Sequence, residues 1–180
     1  MILFRDKTVY ENAKVLRDHG MTPGKRYWHD QIGFNYRLTN IQAAIGVGQM
    51  ERIEFILEKK RTIASLYTKM LINTPGIFML PRQLPLTQHS HWLYTIILNK
   101  NFDRDKIIKE LLDLGVECRP VFYPLHSMPP YEKLKKSNSL EYSNTLSISG
   151  ISLPTSVSLT QDEIYYIGDC LKMILASLAE

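Results

Sequence analysis

Cysteine is nearly absent. The chain has two, Cys118 and Cys170, far apart and without a CxxC spacing. That excludes a disulfide framework and a cysteine-based metal site, and it fits a reducing, cytoplasmic setting. No apolar run approaches the roughly 18 residues of a membrane span, and "MILF" (1–4) is too short for a signal peptide. Gly-rich phosphate loops of the GxGxxG or Walker type are missing, as is a GxSxG nucleophile elbow. There is no internal repeat and no low-complexity segment. A strong charge excess is missing too: 22 Lys and Arg face 18 Asp and Glu, a net charge of +4. The basic residues are scattered apart from "EKKR" (58–61) and "KLKK" (133–136). Such short runs make solvated faces and do not point to nucleic acid or membrane partners.

What is present is a globular composition, 44% hydrophobic over 180 residues, enough for a real core. Residues 2–4 form a strand candidate that runs straight into a turn, as if cut from a longer chain. "KTVYENAKVLRDHG" (7–20) predicts a helix with Val9, Ala13 and Leu16 on one face and Gly20 as its stop. Residues 21–37 form a loop rich in aromatic side chains: Tyr27, Trp28, Phe34 and Tyr36. A loop this long and this aromatic is functional or packed against a partner.

Thr39 and Gln42 form a capping box. It opens a predicted helix over 39–72, carried by Ile41, Ile45, Ile56, Ile63, Tyr67 and Leu71 at helical spacing. At about 1.5 Å per residue it would be roughly 50 Å long and would bridge two domains or pack on another subunit. Beyond it come strands at 77–81 and 91–98, a helix at 103–115, and a strand at 116–125 that Pro120 confines to an edge or bulge. A loop with a short helix (127–137), a helix end or turn and a short strand within 143–154, and a helix capped by Thr160 and Glu163 complete the chain. The class is α+β: a long helix plus a small, mostly antiparallel sheet with helices on one face. The expected divisions are 1–38, 39–72 and 73–180.

Arg37 and Asn35 sit just before the capped helix. A cation at the positive end of a helix runs against the usual placement. Either Arg37 faces solvent or pairs with an acid such as Glu51, or the group captures an anion with guanidinium fork, amide and helix N–H groups together. His29 is a structural or a catalytic histidine. His89 and His91 precede the apolar strand beside Trp92, without the acidic or cysteine partners of a metal site. "RPVFYPLH" (119–126) joins Arg119, Tyr123 and His126 between prolines, either as a packed edge or as a pocket wall.

Five stretches together resemble the DegT/DnrJ/EryC1/StrS family of aminotransferases, with the perosamine-type 4-aminotransferases the most similar. They are "LRDHGM" (16–21), "YWHDQIGFNYRLTNIQAAIGVGQMERI" (27–53), "HSHWLYTI" (89–96), "GVECRPVFYPLHSMPPY" (115–131) and "GISLPTSVSLTQDEIYYI" (150–167). The resemblance implies the C-terminal small domain of a fold-type I enzyme that uses pyridoxal 5'-phosphate to aminate nucleotide-linked keto-sugars. It implies a dimer with glutamate as amino donor. It implies that Asn35 contacts the cofactor phosphate of the neighbouring subunit and that Arg37 holds the donor carboxylate. His29, His91, Trp92, Arg119, Tyr123 and His126 would line the substrate side. "MILF" resembles the end of the family's "GGM" segment, so the Schiff-base lysine upstream of it is expected to be missing. The chain alone is then inactive, and its partner is a second copy or a chain carrying the N-terminal half. The alternative is a non-enzymatic interaction or dimerisation module.

Overall fold

A computed structural model describes residues 2–134 and 140–179. Met1 and part of the 133–136 basic run lie outside the described residues. The chain divides into two compact units, Met1–Arg52 and Ile53–Glu180.

The second unit is built on a four-stranded antiparallel sheet. Its strands are β1 (Ile77–Met79), β2 (Tyr94–Leu98), β3 (Arg119–Pro120) and β4 (Gly150–Leu153), in the order β1-β2-β4-β3. In the central pair, Tyr94 lies opposite Leu153 and Ile96 opposite Ile151. Strand side chains alternate between faces, so Tyr94, Ile96, Leu98, Ile151 and Leu153 share one face, and all are buried. Three helices supply the other half of that core: Ile63, Tyr67 and Leu71 of α3 (Ile53–Leu71), Ile107 and Leu111 of α4 (Arg104–Asp113), and Ile164, Leu171 and Ile174 of α6 (Gln161–Ser177). This is the expected α+β arrangement, an antiparallel sheet with helices on one face.

Local chemistry explains the helix ends. Asp103 caps α4 through its carboxylate, and Gly115 follows at φ +79°. Thr160 and Glu163 form a complete capping box on α6, and Thr160 holds the Glu163 carboxyl below its usual range. Gly168 lets α6 approach α3: a Cβ there would meet the Met70 side chain at 2.5 Å. Pro120 sits in the edge strand β3, where a missing N–H costs no ladder bond. A nine-residue helix, α5 (Glu141–Ser149), runs directly into β4, the helix end rather than the turn of the two alternatives for this stretch.

The first unit holds α1 (Lys7–Arg17), capped by Asp6, and α2 (Asn40–Met50), capped by the Thr39–Gln42 box. Three expectations change here and at the boundary. Residues 2–4 form no strand; Ile2 and Leu3 are exposed and have no strand to pair with among the described residues. The single helix over 39–72 is two helices, α2 and α3, separated at Glu51 and Arg52. Arg52 N–H bonds Gln49 and Glu51 N–H bonds both Val47 and Gln49, so the last turn of α2 tightens and the α-ladder stops. The strand expected over 116–125 forms ladder pairs at Arg119 and Pro120, Val121 N–H adds a bond to the Gly150 carbonyl, and Pro124, which lacks an N–H, leads into a short 3-10 turn at Leu125–Ser127. No helix among the described residues is long and apolar enough to cross a membrane.

Burial pushes the Cys118 thiol up to about 12, with Glu117 adding to it. Both cysteines are buried. Neither is expected to react with iodoacetamide at pH 8 until the protein is denatured, as mass spectrometry would show. The sign of the linkage follows. The stability from keeping Cys118 protonated is fully present below its ordinary value of 9.0 and lost as pH rises toward about 12. Burial raises the Tyr67 hydroxyl in the same direction. The melting temperature should therefore fall across that alkaline window.

Candidate functional site

The candidate residues fall into two sets, one in each unit. In the first unit the segment after α1 folds back on itself. Phe34 N–H bonds the Leu16 carbonyl at 2.6 Å, Tyr36 N–H bonds Arg17 at 3.0 Å, and His19 N–H bonds Phe34 at 2.9 Å. Asp18 and Asn35 form a bridge, and so do Met21 and His29. Gly20 and Gly33 make this possible: a Cβ on Gly33 would collide with the Gly20 and His19 backbone, and one on Gly20 with Gln31. Gly20 also takes φ +71°, which favours glycine. Inside the loop Asp30 accepts from Thr22 Oγ1 at 2.7 Å and from Trp28 Nε1 at 2.8 Å. Those two bonds hold its carboxyl below the usual range.

This backbone frame places a polar concavity of about 450 Å³ lined by Asp18, His19, Arg26, Tyr27, His29 and Arg37, with Met21 at its side. His29 Nδ1 donates to the His19 carbonyl at 3.0 Å. A carbonyl only accepts, so Nδ1 carries a proton, and Nε2 is the ring nitrogen open to another partner. Arg37 reaches Asp18, at 3.5 Å, rather than the Glu51 suggested by spacing. Its side chain stays 64% exposed, so the contact is loose and of little energetic weight. Asn35 is held through its backbone; its exposed amide makes no hydrogen bond among the described residues. Arg26 is the residue that sequence reasoning missed. It stands beside "YWH" without a periodic or capping signal, and only the fold brings it to Arg37.

In the second unit Trp92, Arg119, Phe122, Tyr123, Met128 and Leu146 surround a mainly apolar concavity of about 580 Å³. Trp92, Phe122 and Tyr123 are exposed, so aromatic faces and one guanidinium are open to a ligand. His126 is not among its lining residues; its Nε2 lies 3.0 Å from Asn144 Oδ1 of α5. His91 is not among them either. Its N–H donates to His89 Nδ1 at 2.8 Å, and the two rings stack at 4.2 Å. Burial, then His89 and Arg61, push its imidazole below the usual histidine range. Among the described residues no group of three or more His, Cys, Asp or Glu gathers as a metal site.

The sequence profile of the DegT/DnrJ/EryC1/StrS aminotransferase family matches residues 1–172. The GDP-perosamine synthase of Vibrio cholerae is 38% identical over 174 residues, covering 96% of this chain and 47% of that protein. Two solved structures share the fold. The aminotransferase PseC of Helicobacter pylori, involved in the biosynthesis of pseudoaminic acid, superposes with a TM-score of 0.86 at 24% identity, covering 96% of this chain and 47% of that one. The aminotransferase TlmJ of Streptoalloteichus hindustanus superposes with a TM-score of 0.87 at 24% identity, covering 98% and 47%. The chain spans about half the length of the relatives it matches.

Because Gly20 and Gly33 lie back to back, Gly33→Ala should push the two segments of the loop apart. The His19 and Tyr36 amides are expected to lose protection in hydrogen exchange, while amides of β2 and β4 keep theirs.

Proposed function

We propose, from the premise that this chain belongs to the DegT/DnrJ/EryC1/StrS aminotransferase family, that it is the C-terminal portion of a pyridoxal-phosphate-dependent enzyme. The complete enzyme moves an amino group from glutamate to a nucleotide-linked keto-sugar, in the cytoplasm, for amino-sugar or surface-polysaccharide synthesis. The observation that carries this reading is the donor-rich approach to α2. Asn35 has an unengaged amide, and Arg37 is exposed and only loosely paired. Both precede a helix whose first N–H groups favour anions.

These groups fit the phosphate of the cofactor and the carboxylate of the donor. Asn35 would hold the phosphate of a cofactor bound in the neighbouring subunit. Arg37 would take the glutamate carboxylate, which offers a bidentate partner that Asp18 at 3.5 Å does not. Arg26, on the same concavity, adds positive charge. His29 offers the ligand its Nε2, the ring nitrogen not engaged by the His19 carbonyl. Pyridoxal phosphate, when bound, supplies the electron-sink chemistry of amino transfer. Trp92 and Tyr123 offer stacking faces to the nucleotide-sugar, and Arg119 offers a charge to its diphosphate. His126, through Asn144, supports that wall, and His91 braces the segment leading to Trp92.

The chemistry also needs a lysine as nucleophile and proton carrier. No lysine in these 180 residues has the family's context for that role. A homodimer of the complete protein, or a partner chain bearing the lysine segment, would complete the site. A second reading, an interaction module without catalysis, draws on the exposed Ile41, Ile45, Val47 and Met50 of α2, an apolar surface that invites association.

The purified 180-residue chain is expected to show no glutamate-dependent amination of a nucleotide keto-sugar. Sustained turnover would overturn the assignment of the lysine to a separate segment. In the complete enzyme, Asn35→Ala should weaken cofactor affinity and Arg37→Ala should raise the KM for glutamate, each by about tenfold or more, the loss of one charge-assisted contact. Neither should change the melting temperature. Unaltered cofactor and glutamate dependence in both variants would remove the anion-site reading.

A further inference from the structure

Lys60 lies in the middle of α3 and is partly buried. Its ammonium donates to the Thr155 carbonyl at 2.5 Å, to Thr155 Oγ1 at 3.3 Å and to the Trp92 carbonyl at 3.4 Å. Thr155 Oγ1 in turn donates to the same Trp92 carbonyl at 2.9 Å. An ammonium carries three protons, and here three oxygens surround it. It has no carboxylate partner among the described residues. A lysine serving only solubility would stay hydrated. This one is drawn to main-chain oxygens despite the cost of desolvating its charge.

Apart from this grip, the segment is held by the His89–His91 contacts just before Trp92. Trp92 follows His91, whose φ of +49° is left-handed, and it precedes the first ladder residue of β2, Tyr94. The indole itself is 67% exposed. Thr155 is buried and stands just beyond β4. The Lys60–Thr155 pair therefore ties α3, the approach to β2 and the exit of β4 together at one carbonyl. Trp92 and Arg119 line the 580 Å³ concavity and also a second one, of about 660 Å³, that Lys60 and Thr155 line with them.

We propose that Lys60 and Thr155 are positioning residues that clamp the Trp92 main chain and so set the indole as a wall of the cavity it shares with Arg119. The role in binding rests on the reading of Trp92 and Arg119 as the nucleotide-sugar wall. The clamp itself is read without any ligand.

Trp28→Phe leaves Trp92 as the single tryptophan of the chain, which has two. In that background the near-ultraviolet circular dichroism and fluorescence anisotropy of Trp92 report its fixation. Lys60→Met and Thr155→Val are each expected to lose the dichroic band and lower the anisotropy, with far-ultraviolet dichroism unchanged. Thr155→Ser keeps the hydroxyl and should keep both signals. Should Lys60→Met not fold, the Thr155→Val and Thr155→Ser pair decides. Parent-like Trp92 signals in Thr155→Val would overturn the clamp. Titration with GDP then separates the two layers. Weaker binding by Thr155→Val than by Thr155→Ser supports the wall. Equal binding with altered Trp92 signals keeps the clamp and overturns the wall reading.

Discussion

The antiparallel pairing of β2 with β4 is the constraint on which the second unit depends. Four residue pairs in register put Tyr94, Ile96, Ile151 and Leu153 on one face, and a one-residue slip would turn all of them to the other side. Everything else in that unit answers to this face. α3, α4 and α6 lay their apolar stripes on it. Tyr67 of α3 sends its hydroxyl to the Pro154 carbonyl at 3.0 Å, and Thr68 meets the Tyr94 hydroxyl at 2.9 Å, so the buried phenols are satisfied where they pack. Lys60 repeats the theme two turns earlier in α3, at the margin of the core.

The two units are stabilised by different physics. The second has a contiguous apolar core. The first has Gly20 as the only fully buried residue among those described; Phe34, Tyr36, Ile41 and Met50 are exposed. Its shape comes from backbone hydrogen bonds, caps and two glycines rather than from burial. Such a frame can aim side chains accurately while leaving them uncovered, which suits residues whose partners come from elsewhere. The stacked Phe34 and Tyr36 rings, 5.3 Å apart, and the Asp30 bonds inside the loop keep that frame in order.

Much of the local structure was legible in the residues. Both capping boxes appear where Thr39–Gln42 and Thr160–Glu163 announce them, because a cap is a contact between residues three apart. The edge position of Pro120 was legible for the same kind of reason: a missing donor is a property of one residue. The break at Glu51 and Arg52 was not. Apolar residues recur on both sides of it at one period, and neither residue is a helix breaker. Asp18 as the partner of Arg37 was hidden as well. The two are 19 residues apart in sequence, and only the bridge of Asp18 to Asn35 brings them together.

The sequence by itself determined the family, the α+β class, the helix starts and the residue types offered to a ligand, since each rests on composition, short spacing or motif order. Tertiary structure alone decided which of those residues share a cavity. Arg26 joins Arg37, Trp92 joins Arg119, His91 stacks on His89, and His126 lies against Asn144. It also decided that a lysine in the middle of a helix would spend its charge on two carbonyls, one of them 95 residues away. The reason is physical: such neighbours are set by how the sheet and helices close over the core, and that closure leaves no trace in local spacing.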